Sequence, residues 1–361
     1  MNNFKKRELF AYQILKGEKI YQNKNSNLND LLLLLKKKNS LFFVEYKIWI
    51  VLMLKWEFDY LNQYLQNPSK LKSTVKKFFT ITSIFINLSK SNWLNNIEKK
   101  KSLLDKWYRT KKAFDFMWNK TTKGRFQKLS EKGIEPRVKQ VVKMLPKNFL
   151  KNSSILDSGC GTGRYIRMYQ KYQPKNIFGL DIGEKIILKN IEKFKKNKNI
   201  TFVKGNIKNL KFPNNKFDFI NSTGVLHHSE ESMSKLIQEH SRVLKVNGYM
   251  FVFIVSSSGG LRFDLWRFCR ELLKNVPIKV TYNYLIDKIS PLRIQAFLDH
   301  SYGEYQIISR KKFEEILKKN FSSFRRVKGI LGCDCTPELY KKDKFFKSRF
   351  GEGDLRYLCK K

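Results

Sequence analysis

The stretch Ile155-Leu156-Asp157-Ser158-Gly159-Cys160-Gly161-Thr162-Gly163 decides how the rest of this chain reads. Two aliphatic residues run into an acid, and three glycines then alternate with small residues. The segment up to Leu156 has the character of a buried parallel strand. The glycines permit a tight turn and let a ligand approach bare backbone. Arg164-Tyr165-Ile166-Arg167-Met168-Tyr169 then opens a helix whose first N–H groups point back at the turn. A dinucleotide turn, G-x-G-x-x-G, needs a third glycine at position 164. That position is Arg164, and the third glycine falls at Gly163.

Outward from this turn, strand and helix patterns alternate. Pro136–Leu145 reads as an amphipathic helix ahead of the first strand, carrying Val138, Val141, Val142 and Leu145 and stopped by Pro146. Ile177–Asp181 reads as strand two, Glu184–Lys195 as a helix, Ile200–Val203 as strand three and Phe217–Ile220 as strand four. Ser232–Leu244 reads as a helix ended by Val246-Asn247-Gly248, and Tyr249–Val255 as strand five. Such alternation implies an α/β fold with a parallel, doubly wound, Rossmann-like sheet. Lys311–Asn320 is expected to be a further helix, with strands six and seven at Phe324–Leu331 and Gly353–Leu358.

Residues 256–300 interrupt the rhythm. Ser256-Ser257-Ser258-Gly259-Gly260 reads as a hinge, Leu261–Leu273 as a helix with Phe263, Trp266 and Phe268, and Tyr282–Leu298 as a second helical stretch. An insertion of that length without structure of its own is uncommon, so a helical lid is expected. Upstream, aromatic residues are dense between Trp107 and Asn119, with Trp107, Tyr108, Phe114, Phe116 and Trp118 placed to pack on the sheet or cover the site.

Residues 1–110 differ from the rest. Leu31–Leu35, Leu41–Trp56 and Phe78–Leu88 are apolar or apolar-rich, yet each falls short of the about 20 apolar residues a membrane span needs. Lysines flank them at Lys36–Lys38, Lys76-Lys77 and Lys99–Lys101. A basic helical N-terminal domain is expected, and its lysine-flanked apolar runs also suit a weak contact with an anionic membrane surface. Over the whole chain, 73 Lys and Arg against 31 Asp and Glu give a net charge of +42. That balance favours polyanionic partners, nucleic acid among them, although a composition rich in Lys, Asn, Ile and Phe produces part of it. The five scattered cysteines and four histidines form no metal-ligand pattern, and nothing resembles a secretory signal. A reduced, cytoplasmic setting is expected, peripheral to a membrane if the basic region touches lipid.

Taken together, the motifs resemble the class I S-adenosylmethionine (SAM) methyltransferases. Asp157 to Gly163 resembles their D-x-G-x-G-x-G motif, and Gly179-Leu180-Asp181 their second motif. Lys211–Asp218, Gly224-Val225-Leu226-His227-His228 and Arg242–Gly248 resemble, in turn, the stretch entering strand four, the loop after it and the corner before strand five. The resemblance is to the broad methyltransferase group that includes the ubiquinone and menaquinone biosynthesis C-methyltransferases and many small-molecule O-methyltransferases. The likeness covers about residues 136–255 well and 311–358 loosely. It implies a seven-stranded sheet, a methyltransferase domain over residues 111–361 with a lid insertion at 256–300, and SAM as cofactor. Two departures stand out: Asn206 replaces the usual Asp after strand three, and Val246 the usual Pro of the corner.

The resemblance assigns roles. Asp181, eighteen residues past Gly163 where such folds place an acid at about 20, would take the ribose hydroxyls. Gly159, Cys160, Gly161 and Gly163 would let backbone approach the methionine tail, and Asp157 would orient that loop and receive the ammonium. Asn206 and Ile207 would hold adenine, with Ile182 beside Asp181, and Thr223 would offer its carbonyl. His228, or His227 beside it, is the candidate base for an oxygen or carbon acceptor. His300, Tyr302 and Tyr305 are alternative polar groups, while His240 lies within a helix and is expected to pack there. The acceptor is expected to be a small molecule or a lipid- or sugar-linked one. The alternatives are an RNA or protein methyltransferase and a non-catalytic scaffold on the same fold. In equilibrium dialysis the chain should retain SAM or its demethylated product and release NAD; tight retention of NAD would reverse this reading of the turn.

Overall fold

The computed structural model describes residues 106–121, 124–255, 263, 266, 270, 273, 276–286, 291–331, 334–342 and 346–361. All belong to the second of two units into which the chain divides at residues 100 and 101. The basic runs at Leu31–Leu35, Lys36–Lys38, Leu41–Trp56, Lys76-Lys77, Phe78–Leu88 and Lys99–Lys101, the hinge Ser256–Gly260 and most of the helix at Leu261–Leu273 lie outside the described residues.

In chain order the described elements are α1 (Lys106–Thr121), α2 (Gly124–Met144), β1 (Ser154–Ser158), α3 (Arg164–Gln170), β2 (Asn176–Asp181), α4 (Glu184–Lys193), β3 (Ile200–Lys204) and β4 (Phe217–Thr223). There follow α5 (Met233–Val243), β5 (Leu244–Val255), α6 (Ile278–Leu285), α7 (Pro291–Tyr302), α8 (Arg310–Asn320), β6 (Ser323–Arg326), α9 (Phe346–Phe350) and β7 (Asp354–Lys360). The seven strands form one sheet in the order β3-β2-β1-β4-β5-β7-β6. Strand order reverses between β1 and β4, so the crevice beyond their carboxyl ends is where such a sheet binds ligands.

Alternation along the central strands divides the core between the two faces. Ile155, Phe219 and Phe251 pack on one side with Val138, Val141 and Ile166. Their neighbours Leu156, Ile220 and Val252 pack on the other with Leu236, Ile237 and Phe313. A strand buried on both faces must be apolar at consecutive positions, which is why these strands read as runs rather than alternations.

Four sequence expectations change in detail. β7 runs antiparallel to both β5 and β6, so the sheet is mixed rather than wholly parallel. The sixth strand is the short Ser323–Arg326, and the chain leaves the sheet before Leu331. The helix ahead of β1 extends back to Gly124 with Pro136 inside it, a position that costs a proline one backbone hydrogen bond. The stretch Tyr282–Leu298 is two helices, and Pro291, with its fixed backbone angle, opens the second.

His240 of α5 is fully buried and joins that helix to β1. Its Nδ1 lies 2.7 Å from the Leu236 carbonyl, which can only accept, so the proton sits on Nδ1. Its Nε2 then accepts from the Ser158 hydroxyl at 2.8 Å. Burial pushes the imidazole down to about 4. The unfolded chain therefore takes up this proton first, and the contribution of neutral His240 is complete above about pH 6.5 and lost as pH falls towards 4. His240→Gln should cost about 1–3 kcal/mol at pH 7, and its urea midpoint should decline less than that of the wild type between pH 6.5 and 4.5.

Candidate functional site

The turn after β1 is built from left-handed backbone. Gly159, Gly161 and Gly163 have φ of 78°, 49° and 72°, a region that side-chain-bearing residues avoid. At Gly159 a Cβ would also lie 2.4 Å from the Val225 side chain. The N–H groups of Gly159 and Cys160 both donate to the Leu180 carbonyl, at 2.7 and 2.9 Å. Asn190 of α4, itself buried, donates to the Gly161 carbonyl at 2.7 Å, and Lys193 to that of Thr162 at 3.0 Å. The Cys160 thiol is buried and burial holds its pKa well above the usual value, so it is a small packing group here.

Asp181 closes this turn from the tip of β2. Its Oδ2 accepts from Gly161 N and its Oδ1 from Gly183 N, each at 2.9 Å. Each oxygen keeps a further lone pair for an outside donor. Ile182 beside it is exposed, Asn206 spends its Oδ1 on Lys208 N at 3.1 Å, and Ile207 packs partly against the core.

Asp157 is 2 % exposed at the end of β1. Asn221, its register partner on β4, donates to Oδ1 at 2.6 Å, and Oδ2 has no hydrogen-bond partner. Burial pushes this carboxyl up to about 7, against the lowering effects of the Asn221 amide and of Arg164. Asn221 also accepts from Tyr169 and Thr223 hydroxyls, at 3.2 and 3.0 Å. A buried carboxylate oxygen without a donor, beside backbone with no room for side chains, fits a cationic ammonium. The donor set therefore suits SAM: ammonium at Asp157, tail along the glycines, ribose at Asp181.

α1 crosses above these groups. Phe114 meets the His228 ring edge-on at 4.7 Å, the Asp115 carboxylate reaches over Gly183 beside Asp181, and Trp118 lies over Gly161. The Arg164 guanidinium stands 5.6 Å from the Trp118 ring. Sequence composition marked Phe114 and Trp118, while Asp115 gave no signal.

The two histidines after β4 differ sharply. His227 is buried, accepts from Val255 N through Nδ1 at 3.3 Å, and stacks on Tyr305 at 5.1 Å. Burial holds its pKa well below the ordinary value. His228 donates from Nδ1 to the Glu304 carbonyl at 2.7 Å, leaving Nε2 unprotonated and 3.7 Å from Asp299 Oδ1. Burial lowers its pKa too, partly offset by Asp299. The Tyr305 hydroxyl donates to the same Asp299 oxygen at 3.0 Å. Of the alternative polar groups, His300 stacks on Trp266 at 3.7 Å, and Tyr302 bonds Thr281 and the Val276 carbonyl within the insertion. Asn221, Asp299 and Glu304 went unnoticed in the sequence because each earns its place through a partner 64 to 76 residues away.

Residues 156–252 match a family model described as a methyltransferase domain. The chain is 35% identical over 109 residues to an uncharacterised methyltransferase of Schizosaccharomyces pombe, covering 28% of this chain and 39% of that protein. It is 28% identical over 193 residues to a tRNA (carboxymethyluridine(34)-5-O)-methyltransferase of Arabidopsis thaliana, covering 51% and 43%. It spans about two fifths of the length of these curated relatives. Among solved structures, it resembles a Haloferax volcanii putative methyltransferase, seen in complex with the Trm112 methyltransferase activator, at 14% identity and a TM-score of 0.42, over 68% of this chain and 96% of that one. The chain carries a class I SAM-dependent methyltransferase domain.

Asp181→Ala removes the acceptor of two backbone N–H groups and of any ribose hydroxyl. It should cost about 2–4 kcal/mol of affinity for the demethylated cofactor. Unchanged affinity in a folded variant, by calorimetry, would remove Asp181 from the site.

Proposed function

We propose that this chain transfers a methyl group from SAM to an oxygen or carbon of a small-molecule or lipid- or sugar-linked acceptor. The acceptor would bind under α1, between His228 and the helices of the insertion. The observation that carries this reading is the unpartnered, buried Oδ2 of Asp157 at the end of β1. It stands among the same elements that present His228, whose Nε2 bears a lone pair.

SAM, when bound, supplies an electrophilic methyl group on a sulfonium. Asp157 would anchor the ammonium of its tail, and Asp181 with Ile182, Asn206 and Ile207 would hold the adenosine. Thr223, fixed to Asn221, would line the tail. Alignment of donor and acceptor supplies much of the acceleration in such a displacement. His228 is neutral near pH 7 and can accept the acceptor's proton at Nε2. Asp299, 3.7 Å from that nitrogen, would then stabilise the imidazolium. His227, committed to Val255 N and to the Tyr305 ring, is the weaker base of the pair. The basic residues 1–110 would give the chain its contact with anionic surfaces.

A second reading, methylation of RNA, is favoured by the net charge of +42 and by the likeness to the Arabidopsis protein, whose name places its action on tRNA. Labelled methyl from SAM should separate the two. Label in the small-molecule or lipid fraction of an extract supports the first, label in RNA the second, and cofactor binding with no label in any fraction supports a non-catalytic scaffold.

The Asp157 role predicts proton linkage. Its carboxyl, near 7 in the open site, should ionise when an ammonium arrives. Binding of the demethylated cofactor should therefore release roughly half a proton at pH 7 and more at pH 6, and tighten as pH rises from 5.5 to 7.5. Calorimetry in buffers of different ionisation enthalpy measures this, and Asp157→Asn should abolish the release.

A further inference from the structure

Building on the acceptor site proposed above, we infer that the acceptor carries an oxyanion, a carboxylate or phosphate, and that Arg270 of the insertion binds it. Arg270 is 8% exposed. A guanidinium offers five donors in a planar fork. Among the described residues this one makes a single hydrogen bond, from Nη1 to the His300 carbonyl, at the long distance of 3.4 Å. Its nearest carboxylate, Glu304 Oε2, is 4.0 Å from Nε, at the outer limit of an ion pair. The remaining surroundings are rings: Cζ lies 5.7 Å from the Phe263 centroid and 5.0 Å from that of Tyr305.

The protein treats another buried guanidinium differently. Arg356, 2 % exposed, pairs with Asp334 and has Asp354 3.8 Å away. A buried cation without such partners is costly, because its hydration is lost and not replaced. Among the described residues the nearest carboxylate to Arg270 is the distant Glu304, so its donor fork has capacity for a further oxyanion. The Tyr305 ring that it flanks also contacts His228, at 4.5 Å, so an oxyanion on Arg270 sits one ring away from the candidate base. The cofactor's ammonium and ribose are provided for at Asp157 and Asp181. The walls at Phe263, Trp266 and Tyr305 suit a planar, unsaturated body attached to the anionic group.

The test uses the full chain saturated with S-adenosylhomocysteine, so that the cofactor's carboxylate is already placed. Benzoate and phenyl phosphate are compared with the neutral benzamide and benzyl alcohol, by calorimetry or ligand-observed NMR. At least one of the anions should bind about tenfold or more tightly than its neutral counterpart, and which one does distinguishes a carboxylate from a phosphate subsite. Arg270→Gln should erase the preference, and Arg270→Lys should keep part of it, with S-adenosylhomocysteine affinity unchanged in both. Equal binding of anion and neutral probe, no binding of either, or a preference that survives Arg270→Gln would overturn the proposal. The wild-type comparison stands even where a variant fails to fold. Failure of the wild type to bind S-adenosylhomocysteine would instead remove the methyltransferase reading itself.

Discussion

One carboxylate fastens the turn on which the site depends. Asp181 receives Gly161 N and Gly183 N on its two oxygens, while the adjacent Leu180 carbonyl receives Gly159 N and Cys160 N. Left-handed backbone has no internal reason to stay folded back on a sheet, and these four donors give it one. The arrangement requires β1 and β2 to be neighbours in the observed register, with Ser158 opposite Leu180. A shift by one residue would exchange the side chains of the two packed faces and move the acid away from the turn. The fold and the cofactor half of the site are thus the same constraint seen twice.

That half was legible in the sequence because its geometry is local. Left-handed angles at three alternate positions demand glycine, and the acid that clasps them sits at the end of the next strand. The apolar runs at β1, β4 and β5 marked burial on both faces. Direction was not legible: the apolar residues of β7, Leu355, Tyr357, Leu358 and Cys359, read the same whichever way the strand runs, and its antiparallel course follows from how the chain returns after α8 and β6. Nor was Asn221 legible. An asparagine in a strand carries no signal until register sets it opposite Asp157.

The proposed acceptor half is built in another way. His228, Phe114, Asp299, Tyr305 and Arg270 come from the loop after β4, from α1 and from the insertion, and meet only in three dimensions. Such convergence leaves no spacing to read. The His-His pair was visible, but the division of labour between its members was not. It rests on which backbone group each ring meets: an N–H of β5 for His227, a carbonyl near α7 for His228. Those contacts set the tautomers, and with them which nitrogen can take a proton.

Charge acts at two ranges. The net +42 creates a long-range positive field that is screened over about 8–10 Å at physiological salt. Close to the site the balance reverses. Asp115, Asp157, Asp181 and Asp299 gather around the turn and the histidines in a chain that has few acids to place. Burial is the main cause of the raised Asp157 and Asp181 pKa values, and repulsion between neighbouring carboxylates adds to it. A cationic sulfonium with an ammonium tail would relieve that repulsion by entering among them. Arg270 carries the opposite sign a short distance away. On the proposed reading the site has a cation-seeking half and an anion-seeking half, and a positively charged donor and a negatively charged acceptor would each bind more tightly in the presence of the other.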